Sequence, residues 1–174
     1  METDVMTKET TQARILDKNL PIQKICFILS KSQMDSAYAA MVMANGARME
    51  GIEVEMFFTF FGLDVINKKK MTHLHFATVG NPSMPIPTIF GGLPGMEALV
   101  SNQMKKQLDE LDLPPVDEFM EMIHLSGAKI WACKLAVDMF KLTKEDLVDE
   151  LDGILTIGDF YERAAGEGTH IVFI

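Results

Sequence analysis

The chain has 174 residues, 48% of them hydrophobic and 24% charged, which is the size and balance of one globular domain with a substantial core. Its formal charge of −9 at pH 7 repels phosphate backbones and anionic lipid surfaces, which disfavours a nucleic-acid-binding role. The longest apolar stretch, Val54 to Leu63, is far shorter than the roughly 20 residues of a spanning helix, so we expect no membrane span.

The N-terminal segment and the cysteine count indicate the compartment. Residues 1–20 are polar and mixed in charge, without an apolar stretch of signal-peptide length, which predicts a mobile tail or surface helix before a single domain at 21–174. The two cysteines, Cys26 and Cys133, are too few for a disulfide scaffold in a domain of this size. Both features favour a reducing cytoplasm.

Apolar runs and helical periodicities alternate along the chain. Five runs predict strands: Lys24–Ser30, Glu53–Phe60, Ala128–Ala132, Asp152–Ile157 and His170–Ile174. Apolar spacings of three and four residues predict helices from Met34, over Met96–Leu108, over Pro115–Leu125, directly after Cys133 and over Asp159–Ala165. The alternation predicts an α/β fold with a five-stranded parallel sheet and helices on both faces.

Two short polar motifs predict where turns of helix begin. Ser32 and Asp35 have the spacing of a capping box before the first helix, and Gly51 predicts its end. Thr143 and Asp146 have the same spacing and predict the cap of a short turn.

A long segment at about 62–94 follows the second strand and has no regular periodicity. It contains the basic run Lys68–Lys70 and the Pro/Gly-rich sequence NPSMPIPTIFGGLPG. Loops of this length in a compact domain are usually lids, contact arms or disordered segments, and its Met, Ile and Phe residues favour burial against another surface. The sequence predicts an insertion that is either a lid or a subunit contact.

Cys133 is the main candidate for chemistry because it lies between a predicted strand and a predicted helix. Reactive groups gather beyond the carboxyl ends of parallel strands, and helix-start N–H groups with the neighbouring Lys134 favour a thiolate. Free cysteine is also among the most buried residue types. Position alone therefore leaves a reactive thiolate and a packed core residue equally open.

The other candidate groups have simpler interpretations. Cys26 lies inside the predicted central strand KICFILS, where apolar surroundings keep a thiol protonated. The loop SKSQMDS leaves that strand at the same sheet edge and offers Ser30, Ser32 and Asp35 as the environment of a small anion. It contains no glycine, so a dinucleotide or phosphate-cradling loop is disfavoured and a plain helix cap is favoured.

Two histidines and a lysine run in the insertion are predicted to face solvent. His73 and His75 are two residues apart, but no cysteine or carboxylate cluster completes a metal site. Lys68–Lys70 is most simply a solvated turn. We expect no metal and no cofactor.

The segments ICFILSKSQMDSAYAAMVMANGARMEGIEVEMFFTFFGL and AKIWACKLAVDMFKLTKEDLVDELDGILTIGDFYERAAGEGTHIVFI resemble the DsrE/DsrF-like family, in its DsrE-type, peroxiredoxin-like subgroup. The resemblance implies a flavodoxin-like three-layer α/β/α fold and assembly into homo- or hetero-oligomers. In characterised branches one cysteine relays sulfur as a persulfide, and that cysteine falls on Cys133 of WACKLAVDMF.

This resemblance makes a cytoplasmic sulfur carrier, or sulfurtransferase-like protein, the first hypothesis, with Cys133 exchanging sulfur with donor and acceptor proteins. Because Cys26 is predicted to be buried, any resolving thiol has to come from a partner or another subunit. One alternative is a non-catalytic module that binds a nucleotide, flavin or coenzyme A at the same sheet edge. Another is a structural oligomeric subunit without chemistry.

Overall fold

One sheet of five parallel strands organises the computed structural model, which describes residues 22–76 and 95–174. Its strands are β1 (Lys24–Leu29), β2 (Glu53–Phe58), β3 (Lys129–Cys133), β4 (Gly153–Leu155) and β5 (Thr169–Phe173). Every strand pairing is parallel. The predicted α/β class and five-stranded sheet are confirmed, and each strand end lies within about two residues of its predicted position.

The strand order is 4-3-2-1-5, whereas flavodoxin itself has the order 2-1-3-4-5. Each connection from β1 to β4 adds a strand on the same side, and the chain then crosses back to place β5 beside β1. Right-handed crossovers put the connections between β1 and β4 on one face of the sheet and the connection to β5 on the other. The order therefore reverses at the β1–β5 pair, two strands away from β3.

Helices cover both faces, as predicted. They are α1 (Met34–Met49), α2 (Met96–Glu110), α3 (Val116–Leu125), α4 (Lys134–Phe140) and α5 (Ile157–Ala164), with 3-10 turns at Phe60–Ile66, Met71–His73 and Lys144–Asp146.

The predicted cap at Thr143 and Asp146 is confirmed, and a second capping box joins Thr156 to Asp159 at the start of α5. The capping box predicted at Ser32 and Asp35 is wrong. Helix α1 begins at Met34, as predicted, but its N-cap is Gln33, one residue after Ser32, and Gln33 makes no side-chain hydrogen bond. The backbone N–H of Met34 instead donates to the carbonyl of His75 at 3.0 Å, so tertiary packing replaces a local cap.

The core lies mainly between the sheet and α1 with α3. Alanines at 37, 40 and 44 give α1 a smooth buried face that approaches the sheet and α3 closely. On the other sheet face, the ring of Phe160 in α5 stacks on Phe57 of β2 with centroids 4.6 Å apart. This aromatic pair anchors α5 across the middle of the sheet.

The first part of the predicted insertion packs against the domain. Leu63, Ile66 and Met71 are buried, and Asn67 forms an isolated bridge with Leu147. Gly62 permits this close packing, because a Cβ there would collide with the carbonyl oxygen of Leu29.

The rest of the insertion, 77–94, and the predicted tail, 1–20, lie outside the described residues, so their roles stay predictions. Within the described segments, no helix combines the length and apolar character needed to cross a membrane.

Candidate functional site

Cys133 is the last residue of β3 and the N-cap of α4, the strand-to-helix junction predicted for it. Its backbone is extended (φ −73°, ψ 120°), and alternation along β3 places its side chain on the same face as Trp131, the face that α5 covers. Only 1% of Cys133 is exposed. The thiol therefore lies at the edge where chemistry is expected, but under a covering of protein.

The strand register identifies the immediate neighbours of Cys133. Leu155 of β4 pairs with it directly. Phe58 of β2 pairs with Ala132, so Thr59, whose backbone continues extended, is the next residue beside Cys133 on the other side. Thr59 is buried and places a hydroxyl at this position. Sequence reasoning missed Thr59; its only signal was a polar residue at the end of the EVEMFF strand.

Lys134 contributes less positive charge to the site than its position predicts. Its ammonium lies 3.0 Å from a carboxylate oxygen of Asp138 one turn later, and both side chains are more than half exposed. Helix α4 is also only about two turns long, which limits its dipole. The helix-start N–H groups therefore remain the main feature that favours an anion at this junction.

The loop after β1 reaches the same sheet edge but not the same place. The N–H and Oγ of Ser30 both donate to the carbonyl of Ile174, at 2.9 and 3.2 Å, which ties this loop to the strand on the far side of β1. Strand β2 separates Ser30 from Cys133, a spacing of roughly 10 Å for two strand intervals. The structure does not bring Ser30, Ser32 and Asp35 into contact with the thiol as one cluster.

Exposed apolar side chains surround the carboxyl edge near Cys133. Phe60 and Phe61 follow β2, and Leu135 and Met139 project from α4, all with substantial exposure. The Phe61 ring lies 5.5 Å from that of Phe140, which holds the 3-10 turn against α4. Phe60 has φ 45°, a left-handed conformation that is strained for a side chain of this size.

Cys26 is a buried core residue, as predicted. It has no exposed surface, and its burial raises the pKa of its thiol to about 11. The positive charges of Lys24 and Arg163 lower this pKa to a smaller extent, and the negative charge of Glu55 raises it. Cys26 therefore stays protonated at neutral pH.

A buried ion network, which sequence reasoning missed, lies on the same sheet face as Cys133. Glu55 is 4% exposed and accepts hydrogen bonds from Lys24 (2.6 Å), Arg163 (2.8 and 3.1 Å) and the indole N–H of Trp131 (3.0 Å). The Arg163 guanidinium also lies 4.2 Å from the Trp131 ring centroid.

Burial alone raises the pKa of Glu55, but the hydrogen bonds from Arg163 and Lys24 outweigh it and hold the pKa below its ordinary value. The network therefore stays charged and joins three strands to α5. Its sequence signal was a glutamate inside an otherwise apolar strand.

The two histidines and three lysines of the insertion lie at the surface, as predicted. His73 and His75 are exposed, and the three lysines of the run pair with Asp149, Asp146 and Asp64. In residues 22–76 and 95–174, no group of three or more His, Cys, Asp or Glu side chains has the arrangement of a metal site.

A family model and two curated relatives match this chain in sequence. Residues 22–171 match the sequence model of the DsrE/DsrF/DrsH-like family. The chain is 31% identical over 138 residues to the sulfur carrier protein DsrE2 of Allochromatium vinosum, covering 75% of this chain and 86% of that protein. It is 28% identical over 163 residues to the uncharacterized protein YrkE of Bacillus subtilis, covering 87% and 97%.

Two solved structures share the fold at low sequence identity. The protein of unknown function MTH1491 from Methanobacterium thermoautotrophicum has a TM-score of 0.53 and 10% identity, covering 87% of this chain and 98% of that one. The ychN protein of E. coli has a TM-score of 0.50 and 9% identity, covering 88% and 100%. At these identities the likeness concerns the fold alone.

Proposed function

Because the chain belongs to the DsrE/DsrF/DrsH-like family, we propose that it is a sulfur carrier that holds sulfane sulfur as a persulfide on Cys133. The observation that carries this proposal is the position of Cys133, the last residue of β3 and the N-cap of α4. The N–H groups at the start of α4 adjoin this residue and favour negative charge near it, although the Cys133 side chain makes no cap hydrogen bond to them.

The proposed relay consists of two exchange steps without net oxidation. The Cys133 thiolate attacks the terminal sulfur of a donor protein's persulfide, a new S–S bond forms, and the donor leaves as a thiolate. An acceptor thiolate then attacks the same terminal sulfur, the bond to Cys133 breaks, and Cys133 returns to a thiolate. Since Cys26 is buried and protonated, both partner thiols belong to other chains.

Burial of Cys133 makes access part of the mechanism. At 1% exposure the sulfur cannot meet a protein thiol without local opening of its covering. The strained Phe60 and the exposed Phe61 and Leu135 lie at this edge, where a docking partner would displace them. We therefore propose that donor and acceptor proteins contact this edge.

Intact-mass measurement after incubation with a persulfide donor tests the proposal. The wild-type protein and the Cys26→Ser variant are expected to gain one sulfur atom that dithiothreitol removes, and Cys133→Ser to gain none. Alkylation provides a second test, in which prior loading with the persulfide donor is expected to change the mass of the adduct at Cys133 by one sulfur atom. A Cys133→Ser variant that still gains sulfur, or a wild-type protein with a free thiol that gains none, contradicts the proposal.

The alternatives receive less support. A nucleotide-, flavin- or coenzyme-A-binding module is not favoured by the family comparison, and the Ser30–Ile174 hydrogen bonds occupy the β1–β5 edge where such a ligand is expected. A structural subunit without chemistry differs from a carrier only in the reactivity of Cys133. Two free cysteines suit a reducing compartment, so we propose a cytoplasmic location.

We also propose that copies of the chain associate through the sheet face beside α5. Ile171 and Phe173 of the edge strand β5 and Tyr161 of α5 are exposed there, and Phe173 is 68% exposed. Light scattering after gel filtration is expected to show an oligomer that Phe173→Asp dissociates. Leu125→Asp, at another exposed apolar position, is expected to leave it intact. A monomeric wild-type protein contradicts this assembly.

A further inference from the structure

A groove lies away from the Cys133 junction, between the start of α1, the Met71–His73 turn, α2 and the start of α3. Its deeper part is a cavity of about 330 Å³ whose apolar wall includes Met34, Met71, Leu108 and Val116. A shallower depression of about 220 Å³ adjoins it and shares the wall residues Met71 and Asp117. The two parts therefore form one groove, apolar at one end and open at the other.

The open end of the groove is strongly acidic. Five carboxylates line it, from Asp117, Glu118, Glu121, Asp149 and Glu150, against the ammonium of Lys68, while Lys105 lies on the wall of the deeper cavity. Lys68 is already paired with Asp149 at 2.6 Å. Within the described parts of the chain, the other four carboxylates have no ion-pair partner.

These carboxylates are spread over two elements and do not converge on one point. Glu118 and Glu121 lie one turn apart on α3, and Asp149 and Glu150 lie on the turn before β4. No group of three or more metal-binding side chains is found in the described residues, so one small cation would neutralise only part of the surface. A partner segment with several cationic side chains at intervals would complement these separated carboxylates better than one small cation.

We propose that this groove binds a short extended segment of a partner protein that carries an apolar anchor followed by lysine or arginine residues. The apolar cavity has the size of a pocket that buries one or two large side chains, with the acidic depression beyond it for the basic residues. In an extended peptide, alternate residues lie roughly 7 Å apart on one side, a spacing that distributes cations along the depression. This site is independent of sulfur chemistry at Cys133.

A direct binding measurement tests the groove. The probe is a fluorescein-labelled peptide in which two leucines precede alternating lysine and glycine residues, titrated with the full chain by fluorescence anisotropy at low salt. Two control peptides replace the leucines with serine or the lysines with glutamate. The probe is expected to bind, and both control peptides to bind at least about tenfold more weakly, because each lacks one half of the complementary surface.

Variants of the chain locate the binding. Glu118→Lys with Glu121→Lys is expected to weaken probe binding roughly tenfold or more, and Thr72→Trp, at the exposed rim of the cavity, to weaken it by blocking the anchor. The control, Glu162→Lys with Glu167→Lys, makes the same change in net charge on exposed residues of α5 and the turn after it.

Three results would overturn the proposal: no probe binding at millimolar protein, equal binding of the serine peptide, or equal weakening by the α5 control. If phenethylammonium, a small cation with an apolar ring, bound to the chain and the probe peptide did not, the proposal would also be overturned in favour of a small-molecule pocket. Circular dichroism of each variant separates loss of binding from loss of fold. The control peptides test the proposal on the wild-type protein, so their result does not depend on whether the variants fold.

Discussion

Replacement of Glu55 by glutamine tests whether the buried ion network stabilises the fold. Glutamine keeps the size of the side chain but removes the charge that Lys24 and Arg163 face at 2.6 and 2.8 Å. Removing one partner of a fully buried ion pair costs about 3–5 kcal/mol. The Lys24 and Arg163 side chains retain 17% and 38% exposure, so water compensates in part, and we expect a loss of about 2–4 kcal/mol in the free energy of unfolding.

The chain offers a matched control at its surface. Asp149 pairs with Lys68 at the same distance, 2.6 Å, but the Asp149 side chain is 88% exposed. We expect Asp149→Asn to change the free energy of unfolding by less than about 1 kcal/mol. Urea denaturation of both variants makes the comparison. Equal losses in the two variants would refute the argument that burial, rather than ion-pair distance, sets the contribution of Glu55.

The same network predicts an acid dependence. The pKa of Glu55 in the folded protein lies below its ordinary value of 4.5, so its contribution is fully present above pH 4.5 and is lost as the pH falls through the lower, folded value. The difference in unfolding free energy between wild type and Glu55→Gln should therefore shrink below about pH 4.5. A difference that stays constant with pH in this range contradicts the assignment.

Three further predictions concern single positions. Gly62→Ala should destabilise the protein by more than about 2 kcal/mol in urea denaturation, because the new Cβ would meet the Leu29 carbonyl oxygen. Gly46→Ala is the control: it lies in open space on α1 and should stabilise the protein by about 0.5–1 kcal/mol. Cys26, with a thiol pKa of about 11, should resist iodoacetamide at pH 8 until urea unfolds the chain; labelling of the native protein would show that its covering opens. Thr156→Ala should cost roughly 1 kcal/mol by thermal denaturation, and an unchanged melting temperature would show that the cap is not needed.

The position of Cys133 could be predicted from the sequence, because the apolar run AKIWA and the helical spacing after it are local signals. Its neighbours could not. Thr59 lies beside Cys133 only because β2 pairs with β3 in one register, and the Glu55 network depends on α5 crossing the sheet from β4. The role of Lys134 was overestimated because its pairing with Asp138 neutralises a charge that sequence proximity suggested was free.

The start of α1 also depends on a residue far away in the chain, which a local pattern does not predict. Ser32 and Asp35 had the spacing of a cap, but the carbonyl of His75, about forty residues later, accepts the N–H that a cap would have satisfied. A local motif predicts a helix cap correctly where no distant group binds the same backbone N–H, as at Thr143 and Asp146.

The sequence by itself determined the α/β class, the order of helices and strands along the chain and the buried state of Cys26, because these depend on local periodicity and on motifs within single segments. The family followed from the resemblance of two long segments to known members. Tertiary structure alone decided the strand order 4-3-2-1-5, the residues that neighbour Cys133 at its sheet edge, the Glu55 network and the groove beside α3. Each of these joins residues far apart in the chain, and which distant residues meet depends on register and crossover direction, which no local pattern specifies.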